Sequence, residues 1–263
     1  MIAVLRSEWL KLRTTTIPWL LSAIALVITG LLILLYFVNK GSNGGPHDHS
    51  TFGPPTPDIP HTTQQLRNLL GTSVGIYVFA LLLGVLIITV EFRHKTVTTS
   101  FLTTPHRTRF VGGKILIAVI TGAVLGVIVL AGTLLIGGIT LSAKGGSFSS
   151  LVHQLGAVAP GLILVYALMA VLGVGVGSLL TNQVAAIIVC LGWFLILENI
   201  IGGIWNGTVK WLPSGAAAAA SNVSSGRNDV GLFNWWQGSL LILVYGLVFA
   251  ALGSILLARR DIT

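Results

Sequence analysis

The sequence predicts an all-α membrane protein of six transmembrane helices, and three observations carry that prediction. The 263 residues are 54% hydrophobic and only 8% charged, against roughly 25% charge in soluble domains. Six apolar runs, at residues 17–38, 69–90, 115–141, 157–180, 184–203 and 239–258, hold a single Asp, Glu, Lys, Arg or His residue, Glu198. Each is long enough to cross a hydrocarbon core of about 30 Å as a helix, and such continuous runs exclude the short alternating strands of a membrane β-barrel. The third observation is charge asymmetry. In a six-span topology one side carries Arg6, Lys11, Arg13, Arg93, Lys95, Arg107, Arg109, Lys114, Arg259 and Arg260, and the other only Lys40, Arg67, Lys144, Lys210 and Arg227. The richer side is expected to be cytoplasmic, which places both termini there in a multi-pass cell-membrane protein.

Residues 1–16 place Ile2, Leu5, Trp9 and Leu12 at helical spacing, with Arg6, Glu8, Lys11 and Arg13 elsewhere around the helix. The segment is either an interfacial helix with Trp9 at headgroup level or a basic flank that orients the first span. The run at 17–38 ends in Asn39 and Lys40 without a small-residue cleavage site, so it is expected to remain as a span rather than be removed as a signal peptide. Residues 39–65 form an external loop, rich in Gly and Pro over 39–63. His47, Asp48, His49 and His61 are its weak candidate metal ligands, since a closed site needs its ligands in fixed geometry.

Between the second and third runs lies the most charged stretch, residues 91–114, with Arg93, Lys95, Arg107, Arg109 and Lys114. Two uncharged spans flank it, so a partner outside the membrane must meet it. Residues 142–156 lead to the fourth run, and Thr181, Asn182 and Gln183 make a tight turn into the fifth. Glu198 is an intramembrane acid, either functional or structural: it contacts a transported molecule, or it is hydrated near the outer interface or caps a neighbouring helix. In the loop at 204–237, Trp205, Trp211, Trp235 and Trp236 bracket the small residues 216–220, a pattern suited to segments dipping into or lying along the outer interface. Gly71 with Gly75, Gly122 with Gly126, and Gly173 with Gly177 are spaced for close helix packing.

Several classes are disfavoured. No basic patch is interleaved with aromatics as nucleic-acid binding needs. Gly112-Gly113-Lys114 is followed by Ile115 rather than by the Ser or Thr of a phosphate-cradling loop. His94 and His106 lack the nucleophile, base and orienting group of a hydrolytic site. The single cysteine, Cys190, excludes an intramolecular disulfide.

With this topology the chain resembles the ABC transporter type-2 permeases, in their small six-span actinobacterial form. The likeness rests on S-E-W-L-K-L-R at 7–13, on E-F-R-H-K-T at 91–96, and on Pro105, Arg107, Arg109 and Lys114 before the third span. Glu198 and Leu212-Pro213 complete it. Lys95 stands where the family more often has Gly. The resemblance implies a non-enzymatic membrane subunit of an exporter for a drug, peptide antibiotic or lipid. It implies two copies of a separate ATPase subunit that binds ATP and Mg, and a second six-span subunit, the same or homologous. It also implies a coupling helix at about 93–104, with Glu91, Arg93, His94, Thr96, Phe101, Pro105, Arg107 and Arg109 facing the ATPase. Trp9, Lys11 and Arg13 would belong to an interfacial helix beside it, and short re-entrant helices would follow the fifth span. The alternatives are an ATPase-coupled signalling subunit and a gradient-driven carrier, which would need more paired charges at mid-membrane than Glu198 offers.

Overall fold

The computed structural model of the chain describes residues 15–42, 62–93, 107–180, 182–223 and 231–259. Among these residues there is no strand. Six helical stretches are long and apolar enough to cross a membrane: in order, Ile17–Val38, Gln65–Arg93, Gly112–Ala143, Leu155–Leu179, Gln183–Ile204 and Trp235–Leu256. The expected interfacial helix with Trp9, Lys11 and Arg13, and the loop with His47, His49 and His61, lie outside the described residues.

The fourth and second spans form the core, with 78% and 72% of their most apolar stretches buried. The third is 44% buried and the first, fifth and sixth 22% each, so those three present most of their surface to the surroundings. Glycine lets the core helices touch backbone to backbone. A methyl on Gly84 would collide with the carbonyl oxygen of Ala170, and one on Gly173 with that of Leu81. Gly122 of the third span approaches the Tyr166 carbonyl, and Gly175 meets the backbone of the sixth span at Gly246 and Ala250. Without water to compete, such close packing is a principal source of helix association in hydrocarbon. The first span leans on the third through Leu26 against Gly132 and Ile136 against Gly30.

Two helices depart from simple rods. Around the second span the chain is helical over Thr63–Gly71, loosens at Thr72 and Ser73, tightens into a 3-10 turn over Val74–Tyr77 and resumes as Val78–Arg93. The buried Tyr166 hydroxyl donates to the Ser73 carbonyl at 2.7 Å, satisfying at the break a backbone group that lipid cannot. The break corrects one expectation. Gly122 with Gly126 and Gly173 with Gly177 do pack at helix crossings, and Gly71 meets Val223, but Gly75 faces open space. Once the helix loosens, a four-residue spacing no longer keeps Gly71 and Gly75 on one face.

The second departure is in the fifth span, an α-helix over Gln183–Leu191 and Glu198–Ile204 with a π-helical stretch, Gly192–Leu197, between. Asn182 caps its start by accepting from the backbone N–H groups of Val184 and Ala185. After the fifth span come a 3-10 turn over Asn206–Trp211 and a short helix, Pro213–Ala220. Ala216 to Ala220 of that helix are all buried.

Leucine at Gly84 or Gly173 is expected to destabilise the bundle by about 1–3 kcal/mol or more through overpacking, read by denaturant titration in micelles. Gly156→Ala, where nothing lies near the added methyl, is expected to be neutral or slightly stabilising.

Candidate functional site

The polar groups of the bundle gather at its two ends. At the end that carries the 91–114 stretch, the second span's helix continues to Arg93 and a 37-residue helix begins at Arg107 and runs to Ala143. The stretch expected as a loop is therefore helical at both ends.

Glu91, expected among the partner-facing residues, is only 5% exposed, and Lys114 only 3%. Lys114 Nζ donates to Glu91 Oε1 at 2.5 Å. The pair joins the last turn of the second span's helix to the third span's helix where each leaves the core. A carboxylate near a helix C-terminus opposes the helix dipole, and the ammonium from the neighbouring helix offsets this. The sequence groups Lys114 with the charges of the 91–114 stretch and with the opening of the third span, whereas the structure turns it inward. The missed signal was reciprocity: one acid closing one apolar run and one lysine opening the next.

Two residues on, Arg93 is exposed, and its Nη1 makes a long 3.5 Å hydrogen bond to Gln183 Oε1. Phe92, Arg93, Asn182, Gln183 and Val184 line a cavity of about 480 Å³. The root of the charged stretch and the start of the fifth span thus share one surface. Arg107 and Arg109 lie on the opening turn of the long helix, while His94, Thr96, Phe101 and Pro105 lie outside the described residues.

Glu198 is at the opposite end of the fifth span, about 22 Å from Gln183 at helical rise. It is 2% exposed. Trp193 Nε1 donates to its Oε1 and the Ser214 backbone N–H to its Oε2, each at 3.1 Å. The π-helical stretch separates Trp193 from Glu198 by five residues yet lets their side chains meet, as a wider turn allows. Ser214 is the second residue of the Pro213–Ala220 helix, so the carboxylate sits on that helix's unsatisfied N–H groups and positive dipole end. Glu198, Tyr77, Asn199 and Ser214 are the polar members lining a cavity of about 440 Å³ between the second and fifth spans and the 205–223 segment. On the far side of that segment the Tyr245 hydroxyl donates to the Trp211 carbonyl at 2.8 Å. Tyr245 lies ten residues into the helix that begins at Trp235, about 15 Å along its axis.

These groups form joints between helices. A family model described as ABC-2 family transporter protein matches residues 4–197 of the chain, which takes in the first four spans, the 91–114 stretch and most of the fifth span. No curated protein matches.

Glu91→Gln and Lys114→Met are each expected to lower stability by about 3–5 kcal/mol, because each removes one member of a buried ion pair. Combining Lys114→Met with Glu91→Leu should recover most of that loss, measured by unfolding in micelles. Glu198→Leu, which removes the acceptor of two part-buried N–H groups, should cost about 1–3 kcal/mol on the same assay.

Proposed function

The chain belongs to the ABC-2 transporter family and is a multi-pass membrane permease of an ABC transporter, and from this we propose that it is the membrane subunit of an exporter driven by a separate ATPase. The ATPase, in two copies, binds ATP and Mg and docks against the stretch after Arg93. A second six-span subunit, the same or homologous, completes the path, and both termini face the cytoplasm. The cargo is hydrophobic or amphiphilic: a drug, a peptide antibiotic or a lipid.

The observation that carries the reading is the buried Glu91–Lys114 pair. It ties the two helices that flank the docking stretch, so force applied between them reaches both together instead of splaying them. Arg93 bonded to Gln183 extends the same push to the start of the fifth span. The second span is locked to the fourth at Gly84 and Gly173, which makes the core a rigid lever of the kind that converts a small displacement into a domain rotation. At the opposite end the 205–223 segment turns at Trp211 and continues as the Pro213–Ala220 helix, held by Glu198 and Tyr245, and in this reading it is the re-entrant element. That segment closes the outer end of the path until the fifth span moves.

Native mass spectrometry of the chain extracted gently from its host is expected to find an ATPase with a phosphate-binding loop, at two copies per two membrane subunits. A chain that runs alone overturns the reading. In the reconstituted complex, Arg93→Ala combined with Phe101→Ala should leave basal ATP hydrolysis intact while cutting export per ATP about tenfold, the effect of about 1.4 kcal/mol of lost coupling.

A further inference from the structure

A third cavity, of about 410 Å³, lies between the fourth, fifth and sixth spans and the Trp211–Pro213 turn. Its floor is buried: Leu172 and Cys190 are 2% exposed. Its rim is open, with Val189, Trp193, Trp211 and Phe249 exposed on the outward flank of the fifth and sixth spans and the turn beside them. Two polar groups of the lining are already committed. The Trp193 N–H donates to Glu198 and the Tyr245 hydroxyl to the Trp211 carbonyl. Water needs two to four polar partners to settle in a cavity, and this one is lined almost wholly by hydrocarbon and ring faces. Left empty, its floor would forfeit its dispersion contacts on one side.

A cation stands next to the rim residue Trp211. Phe233 packs edge-on against Trp211 at 4.8 Å, and Lys210 Nζ lies 5.7 Å from the centroid of the same ring. The ammonium is thus held beside the mouth, at the end of the bundle opposite Arg93. Tyr245 begins about 15 Å into its helix, but helical side chains lean toward the N-terminus, so its contact with Trp211 lies nearer the interface. Hydrocarbon below and a fixed cation above match the two parts of a glycerophospholipid.

We propose that this cavity binds one phospholipid of the leaflet on the Lys210 side, an acyl chain passing between the fifth and sixth spans onto Leu172 and Cys190 and the phosphate resting on Lys210. The site lies within one subunit and does not depend on the identity of the cargo. A bound chain would fill the space between the fifth span and the Trp211–Pro213 turn and hold the two at a set distance.

The test uses the full chain in nanodiscs containing phosphatidylglycerol with a diazirine in one acyl chain, with adducts mapped by mass spectrometry. Adducts are expected on the floor residues Leu172 and Cys190, which bulk lipid cannot touch, as well as on exposed Val184 and Ile188. Val176→Phe, narrowing the cavity, should reduce floor adducts about tenfold, the effect of displacing about two buried methylenes, without changing those at Val184. Lys210→Gln, remote from the core, should reduce the wild-type signal to that of a diacylglycerol carrying the same diazirine. Floor labelling absent in wild type, or unchanged by Val176→Phe in a folded variant, overturns the site. Equal labelling by the two probes overturns its assignment to a phospholipid. Cross-linking of position 189 between two copies with the floor unlabelled shows that a second chain covers the mouth instead.

Discussion

One buried ion pair sets the geometry at the end of the molecule where a partner would act. Glu91 and Lys114 are withdrawn from solvent and joined at 2.5 Å, and neither charge is tolerable there without the other. Taking an ion out of water costs several kcal/mol even after relaxation, so a lone buried charge is far worse than a matched one. The pair therefore holds the second and third spans at one spacing as they leave the core. The described ends of the stretch between them, at Arg93 and at Arg107, thus belong to helices held at that spacing.

From those roots the structure is organised by how closely helices approach. Hydrocarbon provides no hydrophobic drive to push helices together, so contact depends on shape and on satisfied polar groups. The fourth span meets the second, third and sixth through Gly173, Gly122 and Gly175, and it is the most buried element for that reason. The first and fifth spans have less of this contact, and the sixth, though pressed against the fourth along one side, leaves most of its surface uncovered as they do. They are the elements that can be covered by lipid or by another subunit, and the apolar cavity lies along two of them.

At the far end, irregular backbone replaces regular helix. Such backbone is tolerated at membrane depth only where protein groups satisfy it. Each irregularity has its partner: Tyr166 serves the break at Ser73, Glu198 serves the start of the Pro213–Ala220 helix, and Tyr245 serves the turn at Trp211. Glu198 in turn is reached by Trp193 because the fifth span widens into a π-helical stretch between them. A polar network of this kind specifies one arrangement, since a half-satisfied version would leave buried groups orphaned.

What the sequence determined by itself was the class of molecule and the division of its surface. Uncharged runs of some 20 residues or more can only be helices that cross a membrane, because transfer free energy is a property of local composition. The charged stretch around Arg93 and the isolation of Glu198 were legible for the same reason, being visible as departures from apolar background. Tertiary structure decided what those residues touch. That Glu91 turns inward to Lys114, that Gly75 faces open space while Gly84 carries a helix crossing, and that Trp193 and Tyr245 are already bonded beside an apolar cavity all depend on segments distant in the chain. Hydropathy records how each residue partitions between water and oil; which residues share a seam is set by the rotation and break points of the helices, and those follow from packing between spans.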